Sequence, residues 1–144
     1  MINVKFTLKE GAKAPVKATE GSAGWDLFAA SKRQEDGLWC FDTGVCVEIP
    51  RGYVGLLFQR SSVYKTSLWL RNAVGVIDPD YRGTIQFKFK CDALFSFCQY
   101  KTGDRIGQLV IVPAPEVMLT KVDTLSTSER GDGGFGSTGG YDGN

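Results

Sequence analysis

Residues 72–89 read NAVGVIDPDYRGTIQFKF, and the fold class is decided on this stretch. Its opening, residues 73–77, is apolar and β-branched. Its close alternates: Ile85, Phe87 and Phe89 are apolar, while Thr84, Gln86, Lys88 and Lys90 are polar. A β-branched run and a period-two run, separated by Asp78-Pro79-Asp80-Tyr81-Arg82-Gly83, predict two strands joined as a hairpin. The connection carries two carboxylates, a phenol and a guanidinium, where Asn-Gly or Asp-Gly would be enough to reverse a chain. Such a turn is either a solvated charged loop or part of a site.

Working outward, residues 3–8, 38–41, 45–49, 53–58, 93–97, 106–112 and 117–122 also read as strands, between turns rich in Gly, Pro and Asp. Residues 24–30 form a short apolar segment containing Asp26. Residues 60–67 are polar and fit one helical turn. No segment sustains ten residues of 3.6-residue apolar period. Many short strands at regular spacing predict an all-β sandwich or barrel. The 144 residues suffice for one domain with its own core, placed at 1–125. Residues 126–144, STSERGDGGFGSTGGYDGN, have no apolar period and are expected to form a mobile arm.

Composition narrows the chemistry. A net charge of +1 gives no global field for nucleic acid or a membrane surface, so neither is expected as a partner. There is no apolar run of transmembrane length and no signal-peptide core, which points to a soluble intracellular protein, in the cytoplasm or in a host cell if viral. Cys40, Cys46, Cys91 and Cys98 form no Cys-x-x-Cys pair and read as small apolar residues in a reducing compartment. The chain has no histidine. That removes Ser-His-Asp and Cys-His hydrolases, and leaves any general base to Asp, Glu, Lys, Tyr or Cys.

Four further constellations could carry chemistry, and the first two suit an anionic ligand. In the tail, Arg130, Phe135, Ser137 and Thr138 stand among glycines whose bare amides can approach phosphate oxygens. Arg130 can add a bidentate contact, and Phe135 can stack on a base. Arg60-Ser61-Ser62 follows a strand directly, offering a guanidinium and two hydroxyls, or simply an exposed turn. Gln108 lies in phase with Ile106 and Val110, where a polar side chain needs a partner or a ligand. Asp26 is a carboxylate in an apolar setting, and the ordinary reading is a turn-capping Asp. With Asp78 as a candidate base, these groups suit a nucleotide, and the available chemistry is Mg²⁺-assisted attack of water on a phosphoanhydride.

The chain resembles the trimeric deoxyuridine triphosphatases (dUTPases). Five motifs of that family occur in order: Ser22-Ala-Gly-Trp-Asp-Leu27, Arg60-Ser-Ser62, Gly75-Val-Ile-Asp-Pro-Asp-Tyr-Arg-Gly83 led by Asn72, Gly103-Asp-Arg-Ile-Gly-Gln-Leu109, and Arg130-Gly-Asp-Gly-Gly-Phe-Gly-Ser-Thr-Gly139. The resemblance implies a distorted jelly-roll-like β-barrel and a homotrimer with sites at subunit interfaces, each closed by a glycine-rich arm. It implies hydrolysis of dUTP to dUMP and pyrophosphate, which limits uracil in DNA and supplies dUMP for dTMP synthesis.

By position, Asp78 resembles the carboxylate that activates the attacking water, and Tyr81 the residue packed on the deoxyribose. Asn72, Gly75, Val76 and Ile77, with Gln86 opposite, resemble the uracil-reading edge. Arg60, Ser61, Ser62 and Gln108 resemble phosphate ligands. Arg130 resembles the arm's γ-phosphate contact, Phe135 the lid over uracil, and Gly136, Ser137 and Thr138 the phosphate cradle. Asp26 resembles the acid that holds water around Mg²⁺. Gln59 and Trp25 depart from the family's usual residues. Two other readings stay open: a dCTP deaminase relative, and a signalling module switched by nucleotide.

Overall fold

The computed structural model describes residues 1–91, 99–134 and 137. Its strands are β1 (Lys5–Leu8), β2 (Trp25–Phe28), β3 (Ser31–Glu35), β4 (Leu38–Asp42), β5 (Val45–Glu48), β6 (Tyr53–Gln59), β7 (Leu68–Leu70), β8 (Gly75–Ile77), β9 (Gln86–Cys91) and β10 (Arg105–Pro113). A 3₁₀ helix, Ser61–Lys65, follows β6, as the polar run at 60–67 suggested. Two four-stranded antiparallel sheets, ordered β2-β10-β6-β8 and β3-β4-β9-β7, are joined by a two-stranded β1-β5 ribbon. The result is an all-β, jelly-roll-like architecture.

The core follows from strand alternation. Along β9, Phe87 and Phe89 face inward and are almost fully buried, while Gln86, Lys88 and Lys90 face solvent. Phe41 of β4 meets Phe89 edge-to-face at 5.9 Å between ring centroids, and Tyr100 closes the group at 5.7 Å from Phe89. Leu27, Val45, Leu57, Ile85, Ile106 and Leu109 complete the apolar interior. Burying a side chain of this size contributes roughly 1.5–3 kcal/mol.

The structure corrects the expected hairpin. β8 pairs with β6, through Gly55 opposite Ile77 and Leu57 opposite Gly75. β9 pairs with β4 and β7, in the other sheet. The 78–83 connection therefore crosses between sheets, and local pattern does not reveal which neighbour a three-residue strand takes. The strand expected at 117–122 is absent: the segment forms no ladder, and Val117, Met118, Leu119 and Val122 are exposed. No strand edge within the described residues receives it. The strand expected at 93–97 lies outside the described residues.

Conversely, β3 (SKRQE) is polar and exposed throughout, so it has no apolar period to detect. It is aligned by the Asp36-Gly37 turn, where both φ angles are positive (50° and 73°), as a two-residue hairpin requires. β1 begins at Lys5, two residues later than expected.

Candidate functional site

The first cluster is a cavity of about 340 Å³ lined by Leu57, Asn72, Gly75, Val76, Ile77, Asp78, Tyr81 and Gln86. Thus the residues singled out around the charged turn do meet, although their strands do not pair with one another. Three local devices shape the cavity. Ala73 sits at φ +56°, a costly conformation for a residue with a Cβ, and turns Asn72 into β8. The Arg82 guanidinium donates from one nitrogen to the carbonyls of Pro79 (2.6 Å) and Tyr81 (3.0 Å), closing the turn. The Tyr81 hydroxyl donates to the Thr84 carbonyl at 3.0 Å. A Cβ at Gly83 would lie 2.3 Å from that hydroxyl, so only glycine allows the phenol to fold back over the turn.

Asp78 lies just past the end of β8. It lines this cavity and also an open groove formed with Arg51, Tyr53, Asp80 and Glu116.

The second cluster is built on charge. Asp26 is only 6% exposed. Its Oδ1 accepts from Arg60 Nε at 3.2 Å and its Oδ2 from Arg105 Nη1 at 3.0 Å. Arg60 also reaches the Ser62 hydroxyl at 3.5 Å. Asp26 is therefore no turn cap but a strand residue of β2, holding two guanidiniums. Gln108 stands opposite Asp26 in the ladder, and its Oε1 lies 2.6 Å from where a Cβ of Gly24 would be. Gly24 thus lets the amide lie against the β2 backbone. Gln108 is half-buried, and a register shift between Arg105 and Gly107 breaks the simple phase with Ile106 that the sequence suggested.

Ladder geometry separates the two clusters. Asp26 faces Gln108 on β10, and Gln108 faces Phe58 on β6. Residues directly opposite share a face, and successive residues point to opposite faces. Phe58 therefore faces the charged cluster's side, whereas Leu57, opposite Gly75, belongs to the cavity. Three strand steps of about 4.8 Å put the clusters roughly 14 Å apart.

The remaining candidates join neither group. Ser61 is exposed. Arg130 donates from Nε to the carbonyl of Gly133 at 2.9 Å, within its own loop, and the Ser137 amide donates to Gly134. Phe135, Gly136 and Thr138 lie outside the described residues.

Residues 10–139 match the dUTPase family. The chain is a member of the dUTPase family. It is 45% identical to the deoxyuridine 5'-triphosphate nucleotidohydrolase of Escherichia phage T5, over 96% of this chain and 99% of that protein. The enzyme of the same name from Yarrowia lipolytica is 35% identical, over 92% and 85%. Among solved structures, a mutant dUTPase of Staphylococcus bacteriophage 80alpha with dUpNHpp superposes with a TM-score of 0.82, at 30% identity, over 96% of this chain and 99% of that one. A mutant dUTPase from phage phi11 of S. aureus, described for its coordination of a structural Mg(II) ion, gives 0.73 at 29% identity, over 85% and 98%.

In this dUTPase, no group of three or more Asp, Glu or Cys able to cage a metal occurs among the described residues. Both Asp26 oxygens already accept from guanidiniums, so its donor set suits a metal's water shell better than the ion itself.

Two residues close to the site were missed by sequence reasoning. Arg105 lies inside the fourth motif, but its role appears only through the ladder that sets β10 beside Asp26. Gln59, noted only as a departure, accepts the Leu70 amide at 3.0 Å and ties β6 to β7.

The outer wall beyond Gln86 is also charged. Arg33 reaches Gln86 Oε1 at 3.4 Å and pairs with Glu35 at 3.2 Å. The Cys40 thiol's hydrogen bond, with Lys88 and Arg33 nearby, holds the Glu35 carboxyl below its usual range. Burial, then the Glu35 contact, pushes the Cys40 thiol up, which leaves it an inert core thiol. No helix among the described residues is long and apolar enough to cross a membrane.

Proposed function

We propose that this dUTPase hydrolyses dUTP to dUMP and pyrophosphate, limiting uracil in DNA and supplying dUMP for dTMP synthesis. The observation that carries the reading is one cavity lined by Asn72, the β8 backbone, Tyr81 and Asp78, which sets a base-reading edge, a sugar-sized ring and a carboxylate side by side. Asp78 orients a water and takes its proton. The water oxygen bonds to the α-phosphorus, the bridging P–O bond to the β-phosphate breaks, and pyrophosphate leaves with the electron pair. Uracil is selected because a wrong base leaves fixed backbone donors and acceptors unpaired. Tyr81 packs on the deoxyribose. Asp26 would hold Mg²⁺ through water, and the ion would supply neutralisation of the phosphate charge.

Arg60, Ser61, Ser62 and Gln108 are assigned to the phosphates, yet the cluster that holds Arg60, Ser62 and Gln108 faces away from the cavity of its own chain. This supports a homotrimer in which one copy's arginine cluster completes another copy's cavity. The exposed apolar row Val117, Met118, Leu119, Val122 and Leu125 agrees with burial against a neighbour. In this reading residues 1–125 form the barrel and 126–144 the closing arm, with Arg130 on the γ-phosphate, Phe135 over uracil and residues 136–138 around the phosphates.

A second reading is a nucleotide-switched signalling role. The phage 80alpha dUTPase, 30% identical, is described as controlling transfer of virulence genes by a G protein-like mechanism. One experiment addresses both: pyrophosphate release from dUTP, dCTP, dTTP and UTP, each alone with Mg²⁺, with ammonia measured for dCTP. Release from dUTP alone is expected. Ammonia from dCTP would overturn the triphosphatase reading in favour of deamination. No release from dUTP, with the nucleotide still bound, would shift the weight to signalling.

A further inference from the structure

Asp42 belongs to none of the family motifs, and its sequence setting, Asp42-Thr43-Gly44, reads only as a turn. In the structure this turn grips the segment that leads into β9. The Thr43 hydroxyl, fully buried, donates to the Ile85 carbonyl at 2.8 Å, and the Ile85 amide donates to Val45 at 2.8 Å. Asp42 does more than hold backbone. Its Oδ1 accepts the Gly44 amide at 2.7 Å, closing its own turn. Its Oδ2 accepts from the Thr84 hydroxyl at 2.7 Å and from Gln86 Nε2 at 3.0 Å. Gln86 is a wall of the cavity, and the carbonyl of Thr84 anchors the hydroxyl of Tyr81, another wall. One half-buried carboxylate thus reaches two of the cavity's side-chain walls, one directly and one through Thr84.

We infer that Asp42 is a positioning residue that fixes the carboxamide of Gln86 in one of its two orientations and so sets the hydrogen-bonding edge this cavity offers a base. The reason is chemical. A carboxylate only accepts, so the amide must turn its NH₂ toward Asp42, leaving Oε1 on the side where Arg33 can donate at 3.4 Å. An amide with no such neighbour is free to rotate by half a turn, which exchanges donor for acceptor. Uracil and cytosine differ in that same sense along their pairing edges. The purpose assigned to Asp42 rests on the dUTP reading above; its hold on Gln86 does not.

The decisive variant is Asp42→Asn. Its carbonyl can still take the Gly44 amide, so the turn survives. The NH₂ placed at Oδ2 can no longer accept from Gln86 and can instead donate to the Oε1 of a flipped amide, so the native orientation is lost. In steady-state hydrolysis, KM for dUTP is expected to rise about five- to tenfold, the order of one oriented hydrogen bond. kcat should stay within about twofold, and the preference for dUTP over dCTP should shrink. Gln86→Met should reproduce the rise in KM, and Asp42→Asn should add nothing further in that background.

In the ligand-free protein, the Gln86 side-chain NH₂ resonances should move in Asp42→Asn. Unchanged KM and base preference in folded Asp42→Asn would overturn the inference. So would a full additional effect in the Gln86→Met background, an unchanged KM in Gln86→Met alone, or unmoved Gln86 resonances. If the unaltered protein neither hydrolyses dUTP nor binds its imido analogue, the function reading fails, and the resonances alone decide whether Asp42 holds Gln86.

Discussion

The cavity beside β8 and the arginine cluster around Asp26 sit on the same sheet, and they are built by opposite means. The cavity is shaped by backbone: a left-handed Ala73, a turn closed by Arg82, and a phenol folded over Gly83. In the proposed reading its selectivity comes from groups that cannot move. The cluster is shaped by charge: one buried carboxylate holds two long guanidinium side chains that are themselves 27% and 41% exposed. In the proposed reading its strength comes from groups that can change partners, since an arriving phosphate would compete with Asp26 for the same donors. A site that must distinguish a methyl needs the first kind of construction. A site that must close over a flexible triphosphate needs the second.

The sharpest way to break this contrast is Asp78→Asn. If the rigid cavity holds the chemistry, this variant keeps binding a dUTP analogue by calorimetry while turnover falls by about a thousandfold. Full activity would remove Asp78 from the mechanism. Removing residues 130–144 comes next. The truncated chain should keep its β-sheet circular dichroism and lose about a hundredfold in hydrolysis, because the phosphate contacts proposed for the arm are lost but the cavity is not. Normal turnover would end the arm's assigned role.

Asp26→Asn tests the charged side. It leaves two guanidiniums without their shared carboxylate, and because both are partly exposed the cost should be about 2 kcal/mol, read as a midpoint shift in urea. An unchanged midpoint would mean that solvent already screens the cluster.

The smallest effect concerns pH. The Lys5 ammonium, hydrogen-bonded at 3.0 Å, holds the Glu48 carboxyl below its ordinary value. A depressed folded-state value stabilises above the unfolded carboxylate's pKa, and that contribution is lost as pH falls through the folded value. Glu48→Gln should therefore lower stability slightly at neutral pH, leave the acid end of a stability-against-pH curve unchanged, and so flatten the limb between them. Exposed as the pair is, a large effect would show that its surroundings are less hydrated than the structure indicates.

How much was legible in the chain follows from which contacts are local. The alternation of Ile85, Phe87 and Phe89 gave away the buried face of β9, because one face of that strand is core and the other water. The cavity residues from Asn72 to Gln86 were legible because they lie within fifteen positions of one another. The sheet exchange at 78–83 was not, because pairing is decided by distant strands. Asp42 and Arg105 were invisible for the same reason: each acquires its role from a residue more than forty positions away. The 117–122 pattern reads as a strand, yet a strand is a relation to a neighbour, and no described edge of this chain supplies one.

β3 has a consequence of its own. Among the described residues it is the outermost strand of its sheet, and an outermost strand presents free amides and carbonyls to any passing chain. Here that border carries Lys32, Arg33 and Glu35, with no apolar side chain to reward a newcomer. A second strand docking there would have to strip water from those charges and would bury nothing in return. β3 therefore acts as a guard rail: its charges oppose growth of the sheet, and keep a protein whose described regular elements are nearly all strands from adding itself to its own copies along that edge.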